Sequence, residues 1–199
     1  MSISKTRQKL VDVARQLFAK KGVGNTTMNE IAEVSGKGRR TLYTYFKSKD
    51  DIYYAVIESE LFILAHKLQD EMQKNMNPSE KLLNYIYTRM DVFHEAVMRN
   101  GNLRASFFRN IYVVEKSRRR LDITEMKMLE AILQEGNEKG CFNVQNIKLA
   151  AAIIQCSLKG CEVPFIRGDL RAFLQPQNRK NFANFILSGL LEKPDFKRN

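Results

Sequence analysis

The sequence predicts an all-α protein. Apolar residues recur at helical spacing along nearly the whole chain, and the few glycines and prolines stand between those segments. No short segment alternates like a β-strand. With 44% hydrophobic and 28% charged residues the composition is that of a globular protein. No apolar run approaches the roughly 20 residues of a membrane span and no secretory signal is visible, so we expect a cytoplasmic protein.

The first three predicted helices are short and close together. The first runs from about Lys5 to Lys20 on one apolar stripe and stops at Gly22. The second opens on the capping box Thr27–Glu30 and stops at Gly36, where a sharp turn requires the left-handed conformation. The third covers about Arg39 to Phe46. Two short helices that meet at a glycine turn are typical of a helix-turn-helix.

Capping signals also punctuate the rest of the chain. Ser48 and Asp51 form a second capping signature, and Asn77 precedes a proline at the first helical position. Asp122 opens a further capping sequence. The later predicted helices cover about 48–73, 78–99, 103–116, 122–140, 146–165 and 178–191, which makes about nine helices in all.

Positive charge is concentrated at the N-terminus. Residues 1–50 hold 11 basic and 4 acidic side chains, a net charge of +7, whereas residues 51–199 carry only +4. A compact positive unit indicates a polyanionic partner. Charge alone leaves open whether that partner is nucleic acid or an anionic membrane surface.

The third helix has the side chains of a recognition helix. On a helical wheel Leu42 and Phe46 mark the buried direction and Thr44 points away from it. Arginine pairs with guanine and threonine methyl groups meet thymine in the major groove. Arg40 and Thr41 lie near Thr44 on this outer face, Tyr43 and Tyr45 flank it, and Arg39 at the helix start is long enough to reach out. Taken alone, a basic run such as the one that opens this helix is usually just a solvated surface.

Residues flanking the helix-turn-helix are predicted to hold the DNA backbone. Lys49, at the start of the fourth helix, is predicted to form a phosphate clamp with the free N–H groups of that helix. Thr26 and Thr27, at the start of the second helix, are predicted to reach phosphate oxygens.

Residues 7–57 resemble the DNA-binding domain of the TetR (tetracycline repressor) family. The run Thr41–Lys49 carries most of this resemblance, with Thr26-Thr27, Ile31-Ala32 and Gly36 in support. The resemblance implies a DNA-binding domain over 1–50 and an effector-binding and dimerisation domain over 51–199. It implies a homodimer that binds a palindromic double-stranded DNA operator and is released by a small-molecule effector. Carried over by position, the resemblance implies groove and backbone contacts from Arg39, Arg40, Thr41, Tyr43, Thr44 and Tyr45, with Lys49 as the phosphate clamp. Arg40 stands where the family often has a small residue.

The resemblance also implies two further sites in the C-terminal domain. An effector cavity would be lined by Phe62, Met90, Phe93, Phe107, Phe108, Tyr112 and Met126, although each of these equally suits simple core packing. The last two helices are predicted to form a four-helix bundle with a partner. The interface residues would be Ala151, Ile154, Leu158, Phe182, Phe185, Ile186 and Leu190, although a monomer could bury the same stripes itself.

No enzyme signature is found. The two histidines, His66 and His94, are isolated, and the motifs of hydrolases, nucleotide-binding loops and dinucleotide-binding folds are absent. Three cysteines without zinc-ligand spacing predict neither a disulfide framework nor a metal site. We therefore expect a non-enzymatic regulator without a cofactor or a membrane partner. The alternative is a basic helical module that binds an anionic membrane surface or a protein partner.

Overall fold

The structure, a computed structural model, describes residues 5–101, 111–162, 164 and 175–190, with the side chains of the long sixth helix described from residue 118. Within these residues the chain is helical and has no strand. The eight helices are α1 (Lys5–Lys21), α2 (Met28–Ser35), α3 (Arg39–Tyr45), α4 (Lys49–Met72), α5 (Pro78–Arg99), α6 (Ile111–Glu138), α7 (Ile147–Gly160) and α8 (Pro176–Ser188). No helix in these ranges is long and apolar enough to cross a membrane. The all-α prediction is confirmed.

Contacts divide the chain into two compact units. The first comprises Met1–Ile63 with Glu95–Arg120, and the second comprises Leu64–His94 with Leu121–Asn199. The first unit therefore contains the helix-turn-helix together with the end of α5 and the start of α6. The predicted boundary at residue 50, between a DNA-binding domain and an effector-binding and dimerisation domain, stays a prediction.

The core of the first unit comes from the apolar stripes that the sequence analysis identified. Leu10, Ala14 and Phe18 of α1 lie one above the other and are fully buried. The Phe18 ring meets Tyr53 of α4 edge to face, with 6.3 Å between the ring centroids. The residues from α2, α3 and α4 that complete this core are Ile31, Ala32, Leu42, Phe46, Ile52, Val56 and Ile57.

The end of α5 is fixed to α1 and α4 in this unit. The Arg99 guanidinium binds both carboxylate oxygens of Glu60 at 3.3 and 2.5 Å, and Arg15 of α1 lies 3.8 Å from the same carboxylate. Glu60 raises the pKa of Arg99 above its ordinary value by this hydrogen bonding. A β-carbon at Gly101 would lie 2.7 Å from the carbonyl oxygen of Ala19, so only glycine fits this approach.

Helix α6 corrects one predicted boundary. The sequence analysis ends one helix near residue 116 and begins another at Asp122, but α6 runs without a break from Ile111 to Glu138. The Asp122 carboxylate does not cap a helix: it accepts a hydrogen bond from Lys159 of α7 at 2.9 Å. Its backbone carbonyl accepts another from Gln155 at 2.8 Å. The predicted start therefore lies at a contact between helices in the second unit.

Helices α7 and α8 place most of the predicted dimer residues inside the chain. Ala151, Ile154 and Leu158 are buried in the second unit, as is Leu190, so their assignment to an interface is wrong. Phe182 and Ile186 are half-buried and Phe185 is 78% exposed. Helix α7 is apolar around most of its circumference, so periodicity alone selected the inward face. Its exposed apolar residues are Leu149 and Ile153.

Candidate nucleic-acid interface

The turn between α2 and α3 has the predicted geometry. Thr27 is the N-cap of α2, and its hydroxyl accepts a hydrogen bond from the Glu30 amide at 3.2 Å. Gly36 ends the helix with φ 63° and ψ 29°, and the following Lys37 amide returns to the Ala32 carbonyl at 3.0 Å. Helix α3 then begins after Gly38, which offers no side-chain cap. Local chemistry thus fixes both ends of the turn.

Helix α3 buries one side and exposes the other. Leu42 and Phe46 are buried, whereas Arg39, Arg40, Tyr43, Thr44 and Tyr45 are exposed and Thr41 is half-buried. The Thr44 hydroxyl donates to the Arg40 carbonyl at 2.9 Å, so Thr44 offers its methyl group and oxygen lone pairs outward. The exposed side therefore carries two guanidinium groups, two phenol rings and a threonine methyl group on a helix of seven residues.

The structure separates the two threonines that precede α2. Thr27 is exposed and lies where the prediction requires. Thr26 is fully buried, and its hydroxyl donates to the Gly22 carbonyl at 2.9 Å. The predicted phosphate contact of Thr26 is therefore wrong, because its buried hydroxyl is already hydrogen-bonded within the connection after α1.

Lys49 also differs from its prediction in this structure. Its ammonium group donates to the backbone carbonyls of Thr26 and Gly24, at 3.0 and 3.3 Å. The Ser48 amide, which precedes α4, donates to the Asp51 carboxylate, and the Asp51 amide donates to the Ser48 hydroxyl. In this structure the ammonium group of the predicted clamp is therefore bound to backbone carbonyls, and its phosphate contact stays a prediction.

One basic residue beside α3 was missed by the sequence analysis. The Arg7 guanidinium lies 5.2 Å from the centroid of the Phe46 ring, within cation–π range. This contact places a positive charge of α1 beside the C-terminal end of α3. The sequence shows a basic residue at position 7, but no local pattern links it to a ring 39 positions away.

The second unit holds a small internal cavity. Its free space is about 20 Å³, enough for about one water molecule. The residues that line it are Arg89, Met90, Phe93, Leu158, Cys161, Glu162 and Phe182. Met90 and Phe93 were predicted to line an effector site. A drug-sized ligand needs several hundred Å³, which is more than this space offers.

A buried ion cluster lies at one side of this cavity. Arg89 is 2% exposed, and it donates to Glu125 and to Glu162 at 2.7 Å each. Burial by itself would lower the pKa of Arg89, but the two carboxylates more than offset burial and raise it. Burial and then Glu125 raise the pKa of Tyr85. Burial raises the pKa of Cys161, which keeps that thiol protonated near neutral pH.

The other predicted pocket residues do not line this cavity. Phe62 is 65% exposed and belongs to the first unit, and Met126 is half-buried on α6. Phe107 and Phe108 lie outside the described residues, as does the side chain of Tyr112. The sequence analysis missed Arg89, Glu125 and Glu162. For Arg89 and Glu125 the available signal was a charged residue at a core position of α5 or α6.

Comparison with known proteins finds a family for the helix-turn-helix. The family model for bacterial regulatory proteins of the tetR family matches residues 10–56, which contain the whole helix-turn-helix. The N-terminal part of the chain is therefore similar to the DNA-binding domain of the TetR family, as the resemblance implied.

Similarity to known regulators extends beyond the matched domain. An HTH-type transcriptional regulator of Staphylococcus aureus (strain MRSA252) is 32% identical over 115 residues, 55% of this chain and 62% of that protein. The HTH-type regulator QacR of S. aureus (strain Mu50) is 23% identical over 187 residues, 92% of this chain and 97% of QacR. The crystal structure of the fatty acid degradation regulator FadR from Bacillus halodurans has a TM-score of 0.70 at 18% identity, over 97% of this chain and 100% of FadR. The likeness in fold to this solved structure therefore includes residues of both units.

Proposed function

We propose that this protein is a ligand-responsive transcriptional repressor of the TetR family that binds a palindromic operator as a homodimer. The exposed side of α3 carries this proposal. Arg39 and Arg40 present guanidinium groups from the first turn, and Thr44 presents a methyl group one turn later. Arginine and threonine at these positions suit hydrogen bonding and methyl contact with base edges in the major groove. The net charge of +7 over residues 1–50 supplies attraction to phosphate.

Selection from a random duplex pool tests operator binding. The purified protein is incubated with the pool at about 150 mM salt, where non-specific binding is weakened. We expect a palindrome whose half-sites are separated by whole helical turns, because a two-fold dimer presents α3 twice. Failure to enrich any sequence, together with flotation of the protein on anionic vesicles, would instead support the membrane-binding alternative.

The exposed apolar residues of α7 and α8 support the dimer. Leu149 and Ile153 lie one turn apart on the outer face of α7, and Phe185 projects from α8. Leu158 and Phe182 line the same cavity, so the two helices are neighbours. Burying three large apolar side chains against a second copy removes them from water. On α7 the dimer we propose therefore uses Leu149 and Ile153, and not the buried residues Ala151, Ile154 and Leu158.

Two charge-introducing variants test this interface. Ile153→Asp and Phe185→Asp should convert a dimer to a monomer in sedimentation velocity, since a buried unpaired carboxylate is costly. Ile123→Asp is a matched control, because Ile123 is exposed to a similar extent, 51% against 57%, on α6. Dimers that survive both variants, or that dissociate equally in the control, would contradict this interface.

We place the effector site around the cavity of the second unit. Met90, Phe93 and Phe182 are flexible or aromatic side chains whose movement would enlarge it. The chain has no tryptophan, so Phe182→Trp introduces a single fluorescent reporter at this wall. Compounds that release the selected operator should change its emission, and compounds without effect on DNA binding should not. Release without any change in emission would place the effector elsewhere.

A further inference from the structure

A buried carboxylate on α4 joins three helices of the first unit. Glu60 is 8% exposed, and its two oxygens accept hydrogen bonds from the Arg99 guanidinium of α5 at 3.3 and 2.5 Å. The Arg15 guanidinium of α1 lies 3.8 Å from one of these oxygens. A pair of parallel hydrogen bonds between arginine and carboxylate fixes direction as well as distance. We call Arg15, Glu60 and Arg99 the three-helix joint.

The backbone also holds the end of α5 against α1. A β-carbon at Gly101 would lie 2.7 Å from the Ala19 carbonyl oxygen, so the chain after α5 approaches α1 closely. Asn100 precedes this approach and is 2% exposed. Its backbone amide and its side chain both donate to the Ala96 carbonyl, at 3.0 and 2.7 Å. The joint and this close approach together restrict how the end of α5 moves on α1.

The joint lies close to the points where α4 and α5 leave the first unit. Glu60 comes three residues before the unit's α4 segment ends at Ile63, and Arg99 comes four residues after its α5 segment begins at Glu95. Helix α1 shares one buried core with α2 and α3. A contact that fixes α4 and α5 on α1 therefore fixes their direction relative to the recognition helix α3.

The chemistry of the joint suits a role in geometry. A buried ion pair adds little net stability compared with apolar residues of similar size, because the loss of hydration offsets the attraction. It does require one arrangement of its partners, since a carboxylate left without its arginine is costly. Apolar packing in the same unit already supplies a core, which the joint does not need to extend.

We propose that Glu60 is a positioning residue that sets the spacing between operator half-sites. By fixing α4 and α5 on α1, it restricts the directions in which each copy presents α3. Two copies in a dimer then reach together only a narrow range of half-site separations. Glu60 contacts no DNA in this role. The inference rests on the proposed dimer and operator for its effect on DNA, but not for its effect on the end of α5.

Two glutamine variants on α4 form a matched pair. Glu60→Gln keeps the shape of the side chain and removes its charge from the joint, and Glu58→Gln makes the same change at an exposed residue of the same helix. Both variants raise the net charge by one, so any general increase in attraction to DNA affects them equally. Arg99→Lys, at a side chain that is 33% exposed, keeps the charge and removes the paired hydrogen bonds. It tests the joint even if Glu60→Gln fails to fold.

Operator affinity as a function of half-site spacing is the main measurement. The selected palindrome is compared with duplexes that have one base pair added or removed between the half-sites, which moves a half-site by about 3.4 Å and turns it by about 35°. The parent protein and Glu58→Gln should bind the altered duplexes about tenfold or more weakly than the palindrome. In Glu60→Gln and Arg99→Lys this ratio should shrink by about threefold or more, because a looser joint reaches more spacings. Partial unfolding lowers affinity for every duplex by the same factor, so it leaves the ratio unchanged.

Amide exchange in the free protein tests the joint without DNA. Residues 96–101 should exchange about tenfold faster in Glu60→Gln and at the parent rate in Glu58→Gln, since hydrogen bonds to a charged group are lost. A spacing ratio that stays at the parent value in Glu60→Gln and Arg99→Lys, or that shrinks equally in Glu58→Gln, would overturn the proposal. A parent protein that selects no operator would refute the proposed function and the positioning role with it. Faster exchange in Glu60→Gln would then support the joint alone.

Discussion

Gly136 is a position where local and tertiary effects predict opposite outcomes. It lies in the last turn of α6, two residues before the helix ends at Glu138, and an alanine in a helix is normally more favourable than glycine by up to about 1 kcal/mol. A β-carbon at Gly136 would lie 1.9 Å from Cδ2 and 2.4 Å from Cε2 of the Phe142 ring. The amides of Cys141 and Phe142 both donate to the Gly136 carbonyl, at 2.8 and 3.1 Å. The backbone thus holds the ring against the glycine.

The overlap determines the expected sign. Phe142 is 5% exposed, so an alanine at position 136 must expel a buried ring or shift the turn that holds it. Complete loss of a buried phenylalanine costs about 3–5 kcal/mol, and the helix gains about 1 kcal/mol. Gly136→Ala should therefore lower the free energy of unfolding by about 2–4 kcal/mol. For a chain of this length that corresponds to a fall in Tm of about 5–12 °C.

A double-mutant cycle measures this effect. Urea and thermal unfolding are compared for the parent protein, Gly136→Ala, Phe142→Ala and the double variant. With the ring removed, the added methyl group should be neutral or stabilising by about 1 kcal/mol. Gly160→Ala is the matched control, since nothing lies within 4 Å of its β-carbon position. Stabilisation by Gly136→Ala alone, or an equal cost with and without Phe142, would refute the reasoning.

Three further predictions follow from the buried charges and the recognition helix. Arg89→Met should lower the free energy of unfolding at pH 7 by about 3–5 kcal/mol, because two buried carboxylates lose their cation. Glu125→Gln in that background should restore part of the lost stability. A loss below about 1 kcal/mol in urea unfolding would contradict this prediction. Arg40→Ala should weaken operator binding by about 1–3 kcal/mol and relax the preference at one base position, and equal losses on all sequences in a binding assay would show that Arg40 does not contact a base. Burial raises the pKa of Tyr53 to about 12, against about 10 in the unfolded chain. The contribution of Tyr53 to the free energy of unfolding is therefore complete below pH 10 and should fall as pH rises towards 12. Unfolding measured at successive pH values should show a smaller fall in Tyr53→Phe.

Helix starts and the recognition turn were predictable from local sequence. The N-cap hydrogen bonds of Thr27, Asn77 and Asn146 all reach an amide three residues later, at 3.2, 2.9 and 3.0 Å. Gly36 adopts the left-handed conformation that its place between two apolar segments requires. Each of these features depends on a few adjacent residues, so the sequence contains all the participants.

The same local signal failed at Asp122. A capping sequence shows only that the Asp122 carboxylate is able to bind a backbone amide at a helix start. In the folded chain that carboxylate binds the charged ammonium group of Lys159, 37 residues away. Helix α7 failed in a similar way, since Leu149 and Ile153 are as apolar as Ile154 and Leu158. Periodicity identifies an apolar face only where the opposite face is polar.

The sequence by itself determined the all-α class, the helix-turn-helix and the residues of α3 that face outward. Only the tertiary structure decided which groups the polar side chains bind. The buried Thr26 hydroxyl binds the Gly22 carbonyl, and Lys49 binds carbonyls 23 and 25 residues earlier in the chain. Arg89 binds carboxylates 36 and 73 residues later in the chain. A charged or hydroxyl side chain has the same chemistry whether it meets a phosphate, a carbonyl or a carboxylate. Its partner is set by which distant segment packs beside it, and that depends on the burial of the whole core.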